Sequence, residues 1–178
     1  MNLHHVLGFP QLLGKLHNMT ITIEKYAINI SDDLLRNVSL FKQTKNENES
    51  GGVLFCKKKV GLDEYYIIDM TLPNKHDKSS RFSFVRNAKE AQKIIEKKWK
   101  DSDGYINYIG EWHTHPETSP SPSFVDIKTY KQISKDKSSL FPISINIIFG
   151  NANLLYICGY RDGKIIFEER VNYEQILY

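Results

Sequence analysis

The chain has 178 residues, 40% of them hydrophobic and 25% charged, with a formal net charge of +3. That length suits a single domain able to bury about two-thirds of its unfolded surface. The charge is too mild, and the lysines too scattered, to point to nucleic acid, and no apolar run approaches the length of a membrane span. The opening MNLHHVLGFPQLLGKLHNM lacks a cationic region followed by a pure apolar core, so it is not expected to be a secretory signal. Cys56 and Cys158 each lie in an apolar run and are expected to be buried free thiols, which suits a reducing cytoplasm.

In chain order, residues 1–18 read as an extension or lead-in, with Met19 able to serve as an internal start. Residues 20–27 alternate as a strand does, and Ser31 is placed to cap a short helix reaching about residue 41 that carries Leu34, Leu35 and Val38. A polar loop over 43–50 runs into Gly51-Gly52 and a strand over 53–57, and a second strand follows over 64–70. Residues 72–81 are polar and read as a mobile surface segment. Residues 87–100 are an amphipathic helix, with Ala91, Ile94, Ile95 and Trp99 on the core face and Lys89, Lys93, Lys97, Lys98 and Lys100 solvated. A strand over 105–115 comes next, then a helix with Ser121 as cap and Pro122 first, burying Phe124, Ile127, Tyr130 and Ile133. Strands over 143–149, 154–160 and 164–171 close the order, the last two joined by Arg161-Asp162-Gly163. The fold class expected is mixed α/β.

The most informative stretch is His113-Thr114-His115-Pro116, where the seven residues from Pro116 to Pro122 lead to Ser123-Phe124-Val125-Asp126. Two histidines one residue apart on a strand point to the same face, roughly 6.5 Å apart, which suits two imidazoles converging on one ion. A carboxylate as third ligand leaves one position for water, as in a catalytic rather than a closed structural zinc site. Trp112 points to the opposite face and is expected in the core. His4, His5, His17 and His76 lie in polar or terminal stretches and are expected in solvent. A general base is also needed. Glu111, by strand parity, falls on the histidine face; Glu49 lies at a loop-to-strand edge beside two glycines that let backbone approach closely; Glu117 is a weaker third. Spacing does not separate them.

These residues resemble the JAMM (MPN-domain) zinc metalloproteases, whose pattern is an upstream Glu before a Gly-rich strand, then H-x-H, seven residues beginning with Pro, and S-x-x-D. Here it is Glu49-Ser50-Gly51-Gly52-Val53-Leu54, His113-Thr114-His115-Pro116, Ser123 and Asp126. The phrase Gly110-Glu111-Trp112-His113-Thr114-His115-Pro116 is similar to a bacterial standalone branch encoded with CBASS antiphage systems. The resemblance implies a domain over 19–178 with a curved mixed β-sheet flanked by helices, similar to cytidine deaminases. It implies one Zn2+ per chain on His113, His115 and Asp126, Glu49 as base, and Ser123 as donor to the oxyanion. Deaminase chemistry is not expected, because the H-x-E and P-C-x-x-C signature is missing.

The activity implied is cleavage after the C-terminus of a ubiquitin-like modifier, or of a CBASS nucleotidyltransferase conjugated to target proteins. No nucleic-acid or membrane partner is expected, and the sequence does not speak to oligomeric state. The alternatives are a non-catalytic MPN scaffold, though no ligand position is lost, or a peptidase trimming a sulfur-carrier or ubiquitin-like precursor. Gly51 and Gly52 are expected to bind substrate, with an extended tail adding as a strand at a sheet edge near the zinc.

Overall fold

The computed structural model describes residues 18–174. Apart from Asn18, the expected N-terminal extension, with His4, His5 and His17, lies outside the described residues. β1 (Asn18–Ile23) and β2 (Tyr26–Ser31) form a hairpin, followed by α1 (Asp32–Ser39), β3 (Gly51–Lys58) and β4 (Glu64–Met70). A small hairpin of β5 (Lys78–Ser80) and β6 (Ser83–Val85) precedes α2 (Ala88–Asp101), β7 (Asn107–Thr114) and α3 (Phe124–Ile133). β8 (Ser144–Phe149), β9 (Leu154–Arg161) and β10 (Lys164–Asn172) end the order.

Eight strands make one mixed sheet in the order β1-β2-β4-β3-β7-β8-β9-β10. The β2–β4 and β7–β8 pairs are parallel and the rest antiparallel. Strand twist of one hand, summed over this many strands, curls a sheet. Here the curl brings the Tyr26 ring of β2 to 5.0 Å from the Phe167 ring of β10. Gly159 on β9 makes room for it, since a side chain there would run into the Phe167 ring.

One face of the sheet packs on α1, with Ile28, Leu35, Leu54, Ile67, Trp112 and Phe149 in a single buried cluster. The other face carries α2 over Val53 and Phe55 through Ala91, and α3 over Ile148, Tyr156 and Cys158 through Tyr130. β8 is therefore buried on both sides, which is why it reads as an unbroken apolar run rather than an alternating one. Trp112 is 1% exposed, as its parity requires, and Cys56 and Cys158 are buried and free. Among the described residues, no helix is long and apolar enough to cross a membrane.

Four expectations are corrected. The strand read over 20–27 is a hairpin, turned at Glu24, whose φ of 51° lies in the left-handed region that glycine normally signals. The polar segment 72–81 contributes β5 of the small hairpin. The third helix begins at Phe124 with Ser123 as its cap, not at Pro122 capped by Ser121. The cause is the reciprocal Ser123–Asp126 hydrogen-bonded box, while the Ser121 hydroxyl is taken by Arg170. Phe124 is consequently 82% exposed, and at the rim of the sheet Trp99 of α2 is 48% exposed.

Gly110 on β7 has no room for a side chain, because a Cβ there would overlap the Ile145 carbonyl oxygen of β8. Gly110→Ala is expected to lower unfolding free energy by about 3 kcal/mol. A urea midpoint equal to that of the parent would refute it.

Candidate active site

The site is built by register. In the antiparallel β3–β7 pair, Gly51 lies opposite His113 and Gly52 opposite Trp112. The pairing continues past the strand ends: the Thr114 N–H donates to the Ser50 carbonyl at 2.8 Å, and the Ser50 N–H to the Thr114 hydroxyl at 3.0 Å. Extending the count by two puts Glu49 across from His115, and directly opposed residues share a face. On the other flank His113 pairs with Ile148 in parallel, and the His115 N–H donates to the Phe149 carbonyl at 2.9 Å. Both imidazoles are thus held between two neighbouring strands.

The carboxylate comes from the first turn of α3. The Ser123 hydroxyl accepts from the Asp126 N–H at 3.2 Å, and the Asp126 Oδ2 accepts from the Ser123 N–H at 2.7 Å. That box aims the free edge of Asp126 at the histidines. His113 Nε2 lies 3.4 Å from Asp126 Oδ1, His115 Nε2 lies 3.7 Å from Oδ2, and the two Nε2 atoms are 3.0 Å apart. Tetrahedral zinc bonded at about 2.0–2.1 Å would set its ligand atoms about 3.3 Å apart. The donor set and its spacing therefore fit such an ion with little adjustment, and the three residues could hold a metal.

Electrostatics agrees. Burial, helped by repulsion from His113, lowers the His115 imidazole below its ordinary value, which favours a neutral ring with a lone pair to offer. Burial alone would raise the Asp126 carboxyl. Hydrogen bonding and attraction from His113, with hydrogen bonds from Ser123, overturn that and hold it well below the usual carboxylate range. The positive end of α3 adds in the same direction.

The three glutamates part company here. Glu49 is 6% exposed with Oε1 3.8 Å from His115 Nε2, and its own N–H is held by the Ser80 carbonyl of β5 at 2.8 Å. Burial pushes its carboxyl up to about 7, against the pull of His113 and with the repulsion of Asp126 and Glu117. Glu111 lies on the histidine face as parity requires, but Arg86 claims it at 2.7 Å. Glu117 reaches only the outer nitrogen of His115, Nδ1, at 3.2 Å.

Gly51 and Gly52 lie where the chain packs closely on itself. A Cβ on Gly51 would lie 2.6 Å from the Phe84 ring of β6 and from the Trp112 carbonyl oxygen, and one on Gly52 would strike Thr71. Their missing side chains make room for the fold itself. β3 is also an inner strand, between β4 and β7, so it offers no edge along which a substrate tail could pair.

Three residues that shape the site had no readable signal in the sequence. The seven-residue loop to α3 is braced from β8–β9 and β10. Asn151 donates its Nδ2 to the Pro116 carbonyl at 2.6 Å and its N–H to the Glu117 carbonyl at 2.9 Å. Gly150 lets that loop pass, since a Cβ would lie 2.6 Å from the Glu117 carbonyl oxygen. Arg170 donates to the Pro120 carbonyl at 3.2 Å and to the Ser121 hydroxyl at 2.6 Å. Gly-Asn after a strand reads as an ordinary turn, and an arginine on a polar strand face as solvated.

Sequence comparison places the site in a class. A family model described as prokaryotic homologs of the JAB domain matches residues 31–161, and the chain belongs to that family. It is 32% identical over 102 residues to a "CD-NTase/cGAS isopeptidase" of Escherichia coli, covering 57% of this chain and 64% of the relative. A Pseudomonas aeruginosa protein of the same description is 35% identical over 109 residues, covering 61% of this chain and 66% of the relative. The chain thus spans just under two-thirds of the length of these relatives. In fold, it matches the solution structure of a Desulfitobacterium hafniense protein with a TM-score of 0.55 at 18% identity, covering 80% of this chain and 89% of that one.

The raised Glu49 carboxyl has a consequence for stability. Its folded value of about 7 exceeds the unfolded 4.5, so the folded state holds the extra proton and the stabilisation is complete below the unfolded value. It is lost as pH rises towards 7, by up to about 3 kcal/mol in metal-free protein. Glu49→Gln is expected to remove this decline. Parallel urea-stability curves for parent and variant from acid to neutral pH would contradict it.

Proposed function

We propose that this chain is a zinc-dependent isopeptidase that releases target proteins from the C-terminus of a conjugated CD-NTase in CBASS antiphage defence. The observation that carries the reading is the convergence of His113, His115 and Asp126 with the buried Glu49 carboxylate 3.8 Å from His115, in a member of the JAB family. The printed description of the relatives supports the substrate class.

His113, His115 and Asp126 would hold the ion, which when bound supplies the Lewis acidity that activates water and polarises the scissile carbonyl. Glu49 takes the proton of the attacking water and passes it to the departing lysine amine. Its carboxylate, buried and 3.8 Å from His115 Nε2, stands within reach of both halves of that transfer. Ser123 donates to the oxyanion. Its oxygen accepts from the Asp126 N–H as the cap of α3, and its one hydroxyl hydrogen is the donor that would turn to the oxyanion. Such a donor is worth about 3 kcal/mol in a comparable hydrolase site. Glu111 serves the fold through Arg86 rather than the reaction.

The tail is read as pairing with β6 instead of β3. Among the described residues, the outer side of β6 has no strand partner, and β6 packs its Phe84 ring over Gly51, next to the site. A cleft lined by Phe41, Glu49, Ser50, Pro73 and Phe84 opens alongside. Backbone pairing would set the register, and the confined space beside Glu49 favours small residues next to the scissile bond.

Purified protein is expected to carry about one zinc per chain, and His113→Ala or Asp126→Ala to lose both zinc and activity. Glu49→Gln should keep zinc while losing about a hundredfold or more in turnover. Glu111→Gln should change turnover far less. Full zinc retention in both ligand variants would overturn the ligand assignment, and an active Glu49→Gln beside a dead Glu111→Gln would exchange the two glutamates.

The substrate is tested with a fusion carrying the C-terminal tail of a CD-NTase encoded beside this gene, joined to a lysine or extended by peptide. Product masses should show a single cut immediately after the last residue of the tail. Cutting of a ubiquitin-like or sulfur-carrier precursor with the CD-NTase fusion intact would shift the substrate class. Internal cuts in unrelated unfolded proteins would make the enzyme a general peptidase.

A further inference from the structure

We propose that Glu117 is a positioning residue that fixes the tautomer of His115 and so presets it for metal. The inference rests on the reading of His115 as a ligand. Glu117 Oε2 lies 3.2 Å from His115 Nδ1, on the edge of the ring away from the cluster. An ionised carboxylate can only accept, so the ring must carry its proton at Nδ1. The lone pair then stands on Nε2, the atom that lies 3.0 Å from His113 Nε2 and 3.7 Å from Asp126 Oδ2. The opposite tautomer would put a hydrogen where the cation belongs and leave Nδ1 without a donor for Glu117. The same contact raises the basicity of Nε2 as a ligand.

The carboxylate is held in reach by its backbone. The Glu117 carbonyl accepts from the Asn151 N–H at 2.9 Å, and the preceding Pro116 carbonyl from Asn151 Nδ2 at 2.6 Å. Thr118 closes the set by donating its hydroxyl to Asn151 Oδ1 at 3.1 Å. With three consecutive residues tied to one asparagine, the glutamate is presented to the ring rather than swept through solvent. Its side chain is nevertheless 56% exposed, so the effect of removing it belongs at the lower end of the range for such partners. The placement also separates Glu117 from the base: it meets His115 from the far side of the ring, whereas Glu49 meets it at Nε2.

The test compares Glu117→Ala, Glu117→Gln and His115→Ala in the full chain. Zinc affinity is read by competition with a chromophoric chelator, and the His115 ring nitrogens by nitrogen-15 NMR of metal-free protein at alkaline pH. Glu117→Ala should weaken zinc binding about tenfold and convert a single Nδ1–H tautomer into a mixture. Glu117→Gln keeps an acceptor oxygen and should restore the Nδ1–H form and most of the affinity. A Glu117→Ala protein with parental affinity and tautomer would overturn the proposal, while His115→Ala still binds poorly. Parental affinity in His115→Ala would instead overturn the ligand reading on which it rests.

Discussion

Antiparallel pairing of β3 with β7, with Gly51 opposite His113, is the constraint on which the rest of the site depends. It sets which residues share a face, and by continuing through Ser50 and Thr114 it carries Glu49 to a position across from His115. A slip of one residue would turn Glu49 to the Trp112 side of the sheet, where an uncompensated carboxylate would meet the apolar core. The register is guarded from both sides. Trp112 can be buried only on its own face, with its indole N–H given to the Thr71 carbonyl at 3.0 Å, and Gly52 is the only residue type that leaves room for Thr71.

That constraint gathers groups that would otherwise avoid one another. Glu49 and Asp126 are two acids facing two buried imidazoles, and their titrations are driven apart: one carboxyl rises towards neutrality, the other falls. The difference comes from hydrogen bonds. Asp126 accepts from Ser123 and from His113, whereas the carboxylate of Glu49 has only burial and a more distant histidine. Two acids in one cleft with opposed shifts suit the different roles proposed for them, one as a ligand and one as a base. α3 enforces the difference, because the helix that supplies Asp126 also supplies the N–H donor that keeps it ionised.

Much of this was legible in the sequence, and what was not has physical reasons. β4 and the β9–β10 hairpin follow from apolar patterning and from Asp162 and Gly163, both at positive φ in the turn. The histidine and aspartate pattern stood out because strand parity and a helical first turn each place side chains locally. The choice between Glu49 and Glu111 did not. Parity puts Glu111 on the histidine face, and its partner Arg86 lies 25 residues away in the chain. The β1–β2 turn escaped because Glu24 adopts a conformation its side chain does not advertise, and the β5–β6 hairpin because its strands have three residues each, too few to show a pattern, and rest on the loop before β3. Gly51 and Gly52 advertised close approach, and parts of the same chain do pack closely on both.

The bracing of the seven-residue loop reaches far along the chain. Every residue of the proposed metal and acid–base set has been synthesised once position 126 is made, yet Asn151 and Arg170 are needed to pin the segment that joins His115 to Asp126. The curl of the sheet closes equally late, when Phe167 arrives against Tyr26. A chain ending soon after position 126 would hold all of these donor residues without the turn and strand that brace the segment between them. The last described strand thus braces, from late in the chain, a loop whose flanking donor residues all come before position 127.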